Sequence, residues 1–154
     1  MTGAWSIAEC LDHLAVGNEL YLNAMQQAAE DGRKRGVKRR RPAVPGPIGS
    51  LFVRLMDPKS GGRIRMRAPT LLQPKPRPVA EALEAFLFVQ DTVRGFILEN
   101  ADLDLARLRF RNPFTSWIRF SLATGLSVIA AHNEQHLLQA VRVRRALDAG
   151  FLVC

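Results

Sequence analysis

Three histidines, the only ones in the 154-residue sequence, are the residues whose types and spacing could do chemistry. His132 and His136 are four residues apart, which places both imidazoles on one face of a helix, about 6 Å from each other. His13 belongs to a separate helical stretch and could bring a third nitrogen to the same point. Imidazole nitrogens bind zinc and related divalent metals at about 2.0–2.1 Å, and three protein ligands leave positions open for water or substrate. We therefore expect a catalytic type of metal site at His13, His132 and His136.

The stretch that carries two of these histidines, residues 122–146, has apolar and small residues at alternating steps of three and four, which is typical of a core-facing helix. His132, His136 and Gln139 occupy this seam, where burial would normally favour Leu or Ile. Burying such groups costs on the order of 1–3 kcal/mol each unless hydrogen bonds or a metal compensate. Gln90 interrupts the seam of an earlier helix in the same way. We expect Gln139 and Gln90 to lie around the metal or to orient a substrate.

Hydrophobic periodicity predicts an all-α fold with three long helices and one short one. The first helix begins at a capping box formed by Ser6 and Glu9, and it is expected to end near Gly32, where glycine permits a left-handed closing conformation. Residues 101–120 are interpreted as a connector, with Ser121 capping the last helix. The other helices are expected at about 48–56, 78–100 and 122–146.

Basic residues are concentrated in one segment of a chain that otherwise has ordinary globular composition. With 47% hydrophobic and 23% charged residues, residues 1–154 are expected to form a single domain. Fourteen of the 22 basic residues, but one of the 14 acids, lie within 32–78, so the excess of positive charge that gives the chain its net +8 lies in this segment. We interpret 32–78 as a long crossover with an extended stretch at 63–67. The basic run at 33–41 lacks interleaved aromatic residues and any base-reading module, so we expect a solvated loop and no specific nucleic-acid binding.

Several function classes are not indicated by the sequence. No apolar run has the length of a membrane span and no signal peptide is recognised, so the protein is expected to be cytoplasmic. Glycine-rich phosphate loops and Ser-His-Asp motifs are absent, and no residue is assigned as general acid or base. Cys10 could ligate a metal, but a hydrophobic staple with Trp5 explains it more simply. Glu134 is expected on a different, solvated face of its helix, with a role as base only if a groove opens there.

Four segments resemble the DinB-like superfamily. Trp5-Ser6, Glu9 and His13-Leu14 are similar to the start of the metal-binding helix in that family. The segment 130–140 is similar to its closing A-x-H-x-x-x-H-x-x-Q pattern. The segments 63–74 and 112–114 are also similar to the corresponding segments in one branch of the family. The resemblance spans nearly all of residues 5–147.

The resemblance implies a four-helix bundle with a long crossover and a divalent metal (zinc, nickel or iron) on His13, His132 and His136. Characterised relatives include thiol-dependent S-transferases and a mycothiol-dependent isomerase. A metal-dependent thiol S-transferase, or a related hydrolase or isomerase, is therefore expected, with a low-molecular-weight thiol and a small-molecule substrate. Family members usually carry one more helix before the tryptophan. This sequence lacks that helix, so one flank of the bundle is expected to be uncovered. Either the chain is truncated, or the crossover segment or a partner subunit in a homodimer covers this flank.

A second hypothesis from a different class is a non-catalytic helical binding module. In this interpretation the histidines are structural, satisfied by hydrogen bonds with Gln139, Gln90 and Glu134. The basic crossover would then contact an anionic partner.

Overall fold

The computed structural model of the protein describes residues 5–57 and 69–151, the side chains at 116, 150 and 151 excepted. The extended stretch expected at 63–67 lies outside the described residues. The described residues form four α-helices and a two-stranded antiparallel sheet, and a 3-10 turn, Thr70–Leu72, precedes the third helix. The elements in chain order are α1 (Ile7–Lys34), α2 (Pro47–Met56), α3 (Val79–Glu99), β1 (Arg109–Asn112), β2 (Thr115–Ser121) and α4 (Leu122–Phe151).

The first helix starts where its sequence predicts and ends two residues beyond the predicted Gly32. Ser6 Oγ accepts the backbone N–H of Glu9 at 3.2 Å, and Glu9 Oε2 accepts the backbone N–H of Ser6 at 2.7 Å, which completes the capping box. The prediction that Gly32 closes the helix is wrong, because α1 continues to Lys34. Gly36 takes the left-handed conformation instead, with φ of 63°, and glycine alone adopts it without a Cβ penalty.

The core lies between the three long helices. Helix α1 packs against α3, α4 and β1, while the short amphipathic α2 packs against α4. Leu14, Met25 and Leu122 are completely shielded from solvent at this junction. The predicted all-α class and the four expected helices are therefore confirmed. No helix within residues 5–57 and 69–151 combines the length and apolar character that a membrane-spanning segment requires.

Helix α4 approaches α1 closely at Gly125. A Cβ atom there would lie 2.6 Å from Met25 Sδ and 2.8 Å from the Phe110 ring, closer than any real carbon contact. Glycine thus lets α4 pack closely against α1 and the β1 strand at this point.

The expected connector at 101–120 contains the β1–β2 hairpin, which the sequence analysis missed. Phe110 pairs with Phe120 across the sheet, and both rings are buried against the bundle. Burial of these two rings explains why so short a hairpin is stable, since an isolated two-stranded sheet is marginal in water. Ser121 Oγ then accepts the backbone N–H of Thr124 at 3.1 Å, so the predicted cap of the last helix is confirmed.

Candidate metal centre

The three histidines lie together at the interface of α1 and α4. His13 is two turns into α1, a position that the capping box fixes, and it is only 3% exposed. His132 and His136 are one turn apart on α4 and half-buried. One ring nitrogen from each histidine can be chosen so that all three lie within 4.8 Å of one another. Two helices that carry His13 and His132, 119 residues apart in sequence, therefore bring the three predicted residues to one point.

The nitrogen atoms of His13 and His132 face each other. Their Nε2 atoms are 3.0 Å apart, and the two rings meet nearly edge to face. Nitrogen ligands at about 2.0–2.1 Å from a tetrahedral zinc ion lie roughly 3.3 Å apart. The observed separation is close to that value, so little movement is needed for both nitrogens to bind one ion.

A backbone carbonyl sets the orientation of His13. Its Nδ1 donates a hydrogen bond to the Leu72 carbonyl oxygen at 2.6 Å, which requires the proton to be on Nδ1. The lone pair is consequently on Nε2, the atom that points at His132. A histidine ligand held by a carbonyl on its other nitrogen is the usual arrangement around protein-bound metals.

His136 carries a nitrogen that fits a ligand role. Its buried Nδ1 has no hydrogen-bond partner within the described part of the chain. A buried polar atom without a partner destabilises a fold by about 1–3 kcal/mol, and a metal ion would remove that cost. Together with the facing Nε2 atoms of the other two rings, this unsatisfied nitrogen indicates that the three residues fit a divalent ion.

The environment keeps all three rings neutral. Burial, followed by repulsion from His136 and His13, lowers the pKa of His132 to about 3. Burial, followed by the charge of His13, lowers the pKa of His136 to about 4, although a hydrogen bond with Gln139 acts in the opposite direction. Burial also lowers the pKa of His13 below its usual range, against the Leu72 hydrogen bond and the nearby Asp12. Neutral imidazole is the form that binds metals, so the site is ready at neutral pH.

Trp5 forms one wall of the site. Its ring centroid is 4.7 Å from that of His13 and 5.5 Å from that of His136, with the latter pair stacked. The sequence analysis assigned Trp5 to a staple with Cys10. Its contacts with the two imidazoles give it a further role, since an indole ring there excludes water and fixes both rings.

A short segment before α3, the strap (residues 69–77), crosses α1 beside the site. Asp12 Oδ2 accepts the backbone N–H of Lys75 at 2.8 Å, and Asp12 Oδ1 pairs with Arg77 Nε at 2.9 Å. Asp12 is only 1% exposed, and the Lys75 hydrogen bond and the charge of Arg77 offset part of the water it has lost, since Oδ1 has no hydrogen-bond partner within the described residues. Because Leu72 belongs to the same segment, Asp12 holds in place the carbonyl that orients His13.

A chain of amide side chains connects three helices next to the histidines. Asn18 donates to Asn133 Oδ1 at 2.8 Å, and Asn133 donates to Gln90 Oε1 at 3.0 Å. Gln90, expected near the metal, is thus held by the residue that follows His132, and its buried Nε2 has no partner within the described residues. Gln139 hydrogen-bonds with His136 and so lies beside the trio.

The other two candidates lie outside the trio. Cys10 is 1% exposed, and burial raises the pKa of its thiol to about 11, which makes it an inert core residue. Glu134 is half-buried and is not among the described groups that could share the ion.

Comparison with known proteins agrees with this geometry. The family model of the DinB superfamily matches residues 1–140, a range that includes all three histidines and Gln139. The chain belongs to the DinB superfamily. No curated protein and no solved structure matches it. The helical fold of this DinB protein therefore agrees with the family, while its reaction must be inferred from its own residues.

Proposed function

We propose that this DinB protein binds one divalent metal ion, zinc, nickel or iron, through His13, His132 and His136, and uses it to act on a small molecule. The observation that carries the proposal is the convergence of three neutral imidazoles within 4.8 Å. Structural zinc sites usually have four protein ligands, whereas three ligands leave room for a reactant.

A bound divalent ion supplies Lewis acidity, which lowers the pKa of a thiol or water molecule that binds it. The reaction class that we favour is S-transfer, in which a low-molecular-weight thiol attacks an electrophilic carbon. A carbon–sulfur bond forms, the leaving group departs with its bonding electrons, and the thiol proton passes to solvent. Hydrolysis or isomerisation at the same site would use the same three ligands.

The protein's own residues would position the reactants. The Leu72 carbonyl keeps the His13 lone pair directed at the site, and Trp5 shields it from water on one side. Gln139 steadies His136. Gln90 offers an amide N–H that has no partner within the described residues, and it could donate to a substrate oxygen.

Elemental analysis of purified protein tests the metal assignment. We expect about one metal ion per chain in the wild type and substoichiometric metal in His132→Ala. Gln26→Ala, an exposed change on the same helix as His13, is the matched control and should retain the ion. A metal-free wild type that stays folded after incubation with Zn²⁺, Ni²⁺ and Fe²⁺ would support the alternative of a helical binding module with structural histidines.

A thiol panel tests the reaction class separately. Glutathione, bacillithiol and mycothiol analogues are each mixed with monochlorobimane and the metal-loaded protein. S-transfer predicts fluorescent product with at least one thiol, formed faster than without protein and lost in His132→Ala. A metal-loaded protein that accelerates none of these reactions would contradict S-transfer but leave the metal site standing.

Three further expectations concern location, assembly and domain organisation. The cytoplasmic location and the homodimer stay predictions from the sequence, as does the single domain over 1–154.

A further inference from the structure

The β1–β2 hairpin has one face that carries positive charge only. Phe110 and Phe120 point into the core, and the alternation of the strands turns Arg109, Arg111 and Arg119 outward, where all three are exposed. Arg111 is directly opposite Arg119. Like charges opposite each other destabilise a sheet, so this placement costs stability in the free protein. No acidic side chain within the described residues pairs with any of the three.

The turn after α1 adds basic residues to this face. The backbone N–H of Arg39 donates to the Asp102 carbonyl, and that of Asp104 to the Val37 carbonyl, which fixes the turn against the segment before β1. A cavity of about 470 Å³ is lined by Arg35 and Arg40 from the turn, by Arg107, and by Lys38, whose ammonium pairs with Asp102. An adjoining cavity of about 460 Å³ is lined by Arg35, Arg107, Arg109 and Arg119. Neither cavity has an acidic residue in its lining.

An exposed tryptophan is part of the same face. Trp117 is two residues from Arg119 on β2 and is 82% exposed. Strand geometry places Trp117 about 7 Å from Arg119. Arg109 pairs with Ser121 on the neighbouring strand, which is about 13 Å along β2 from Trp117. Large aromatic side chains are seldom left in water to this extent, and one beside several guanidinium groups can stack on a nucleobase.

We propose that this surface, the arginine face (Arg35, Arg107, Arg109, Arg119 and Trp117), binds single-stranded nucleic acid without reading its sequence. Guanidinium groups contact phosphates, and the indole ring stacks on a base, which is the combination that single-strand binding requires. A mononucleotide could reach either the cavities or the tryptophan, whereas a strand reaches both. The expectation of no sequence-specific nucleic-acid binding is unaffected, because phosphate and stacking contacts do not read sequence.

Other anionic partners fit the face less well. Anionic lipid would match the charge, but among the described side chains of the hairpin Trp117 is the one large apolar group that is exposed. An acidic peptide would pair with the arginines and leave the indole without a matching group. Both serve as competitors in the test.

Fluorescence anisotropy of labelled 12-nucleotide oligo(dT) and oligo(U) with the full chain, over a series of salt concentrations, tests the proposal. We expect binding of at least one strand, weakened at least about tenfold in Arg109→Ala/Arg119→Ala. Loss of two phosphate contacts should also reduce the slope of log K against log salt by about 1.4. The two oligonucleotides decide between DNA and RNA.

The matched control is Arg142→Ala/Arg145→Ala, which removes the same charge from exposed positions on α4, about 30 Å along the helix from the hairpin. It should bind nearly as well as the wild type. Equal weakening in both double variants would overturn the proposal, because the binding would then depend on net charge alone.

Trp117 gives a second, independent measurement. Stacking should quench its fluorescence on oligonucleotide binding, and the change should disappear in Trp117→Phe, in which Trp5 is the remaining tryptophan. Trp117→Ala should weaken binding about fivefold or more, with Trp117→Phe in between. The proposal fails if oligonucleotides do not bind or if Trp117→Ala binds as well as the wild type. Binding of phosphatidylserine vesicles or poly-glutamate with equal or higher affinity would overturn it too.

Discussion

Neutral imidazoles inside the bundle make the metal-free protein sensitive to acid. Burial depresses the pKa of His132 to about 3 and of His136 to about 4, whereas an unfolded chain titrates these groups near 6.5. The unfolded state therefore binds more protons below pH 6.5, and stability is lost as the pH falls from there toward the folded-state values. Each ring contributes up to about 1.4 kcal/mol of unfolding free energy per pH unit. Urea unfolding of chelator-treated protein between pH 7.5 and 5 should show this loss.

The control for this prediction is His132→Gln, which cannot take up the proton. Its unfolding free energy should depend less steeply on pH than that of the wild type over the same range. Parallel curves would show that carboxylates, and not His132, cause the loss.

The metal-binding candidates could be predicted from sequence because they are polar residues in apolar seams. His13, His132 and His136 break a helical pattern, and that anomaly is visible locally. Asp12 and Asn133 escaped notice because their partners are far away in sequence, 63 residues for Lys75 and 115 for Asn18. A helical pattern indicates which face is buried, but it does not indicate which side chain on another element lies opposite.

At the scale of elements, the strap connects the Asp12–Arg77 salt bridge to the candidate metal centre, because it also carries the Leu72 carbonyl that binds His13. Asp12→Asn would weaken the pairing with Arg77, whose side chain is 32% exposed and can be solvated, so we expect a moderate loss of about 1–2 kcal/mol. Loss of this contact should also loosen the strap and the Leu72 carbonyl that orients His13, so we expect metal affinity to fall about tenfold. Unfolding curves and a chelator competition titration measure the two effects.

Asp31→Asn is the matched control for the strap. It removes the same charge from an exposed position of the same helix. It should leave metal affinity unchanged, and an equal loss of affinity in both variants would argue against a role for the strap.

The contact of α4 with α1 and β1 gives a sharper test of packing. Gly125→Ala places a methyl group against Met25 and Phe110, so we expect about 1–3 kcal/mol of destabilisation. Gly95→Ala, inside α3 with nothing within 4 Å of the added Cβ, should instead be stabilising by about 0.5–1 kcal/mol. Thermal unfolding of the two variants should shift in opposite directions, and equal shifts would contradict the packing described here.

Helices were more predictable than the hairpin for a physical reason. Long periodic stretches such as Val79–Glu99 carry many apolar residues at helical spacing. The strand Arg109–Asn112 has four residues and one buried ring, too few to establish alternation. Its stability comes from the bundle on which Phe110 and Phe120 rest, and that surface exists only in the folded protein.

At the scale of the whole molecule, ion binding should stabilise the fold. The three proposed ligands come from α1 and α4, so an ion among them would join the first helix to the last. A ligand that binds the folded state alone adds about 2.7 kcal/mol at a hundred times its Kd. We expect Zn²⁺ or Ni²⁺ to raise the melting temperature of the wild type by several degrees and that of His13→Ala/His136→Ala little. An equal rise in both would place the ion elsewhere.

The same chain carries two surfaces of different character. The histidine trio is formed by the first and last helices, α1 and α4, while the arginine face is formed by the turn after α1 and the hairpin. Charge counting predicted a basic segment but not where it meets other elements, because Arg107, Arg109 and Arg119 belong to a separate part of the sequence. Only the fold brings the two groups of basic residues together.

Anomalous diffraction from crystals of metal-loaded protein tests the central claim most directly. We predict one strong anomalous peak at the absorption edge of the bound metal, at about 2.0–2.1 Å from a nitrogen of each of His13, His132 and His136. A map without a peak among the three rings, with the Nε2 atoms of His13 and His132 still joined by a hydrogen bond, would contradict it.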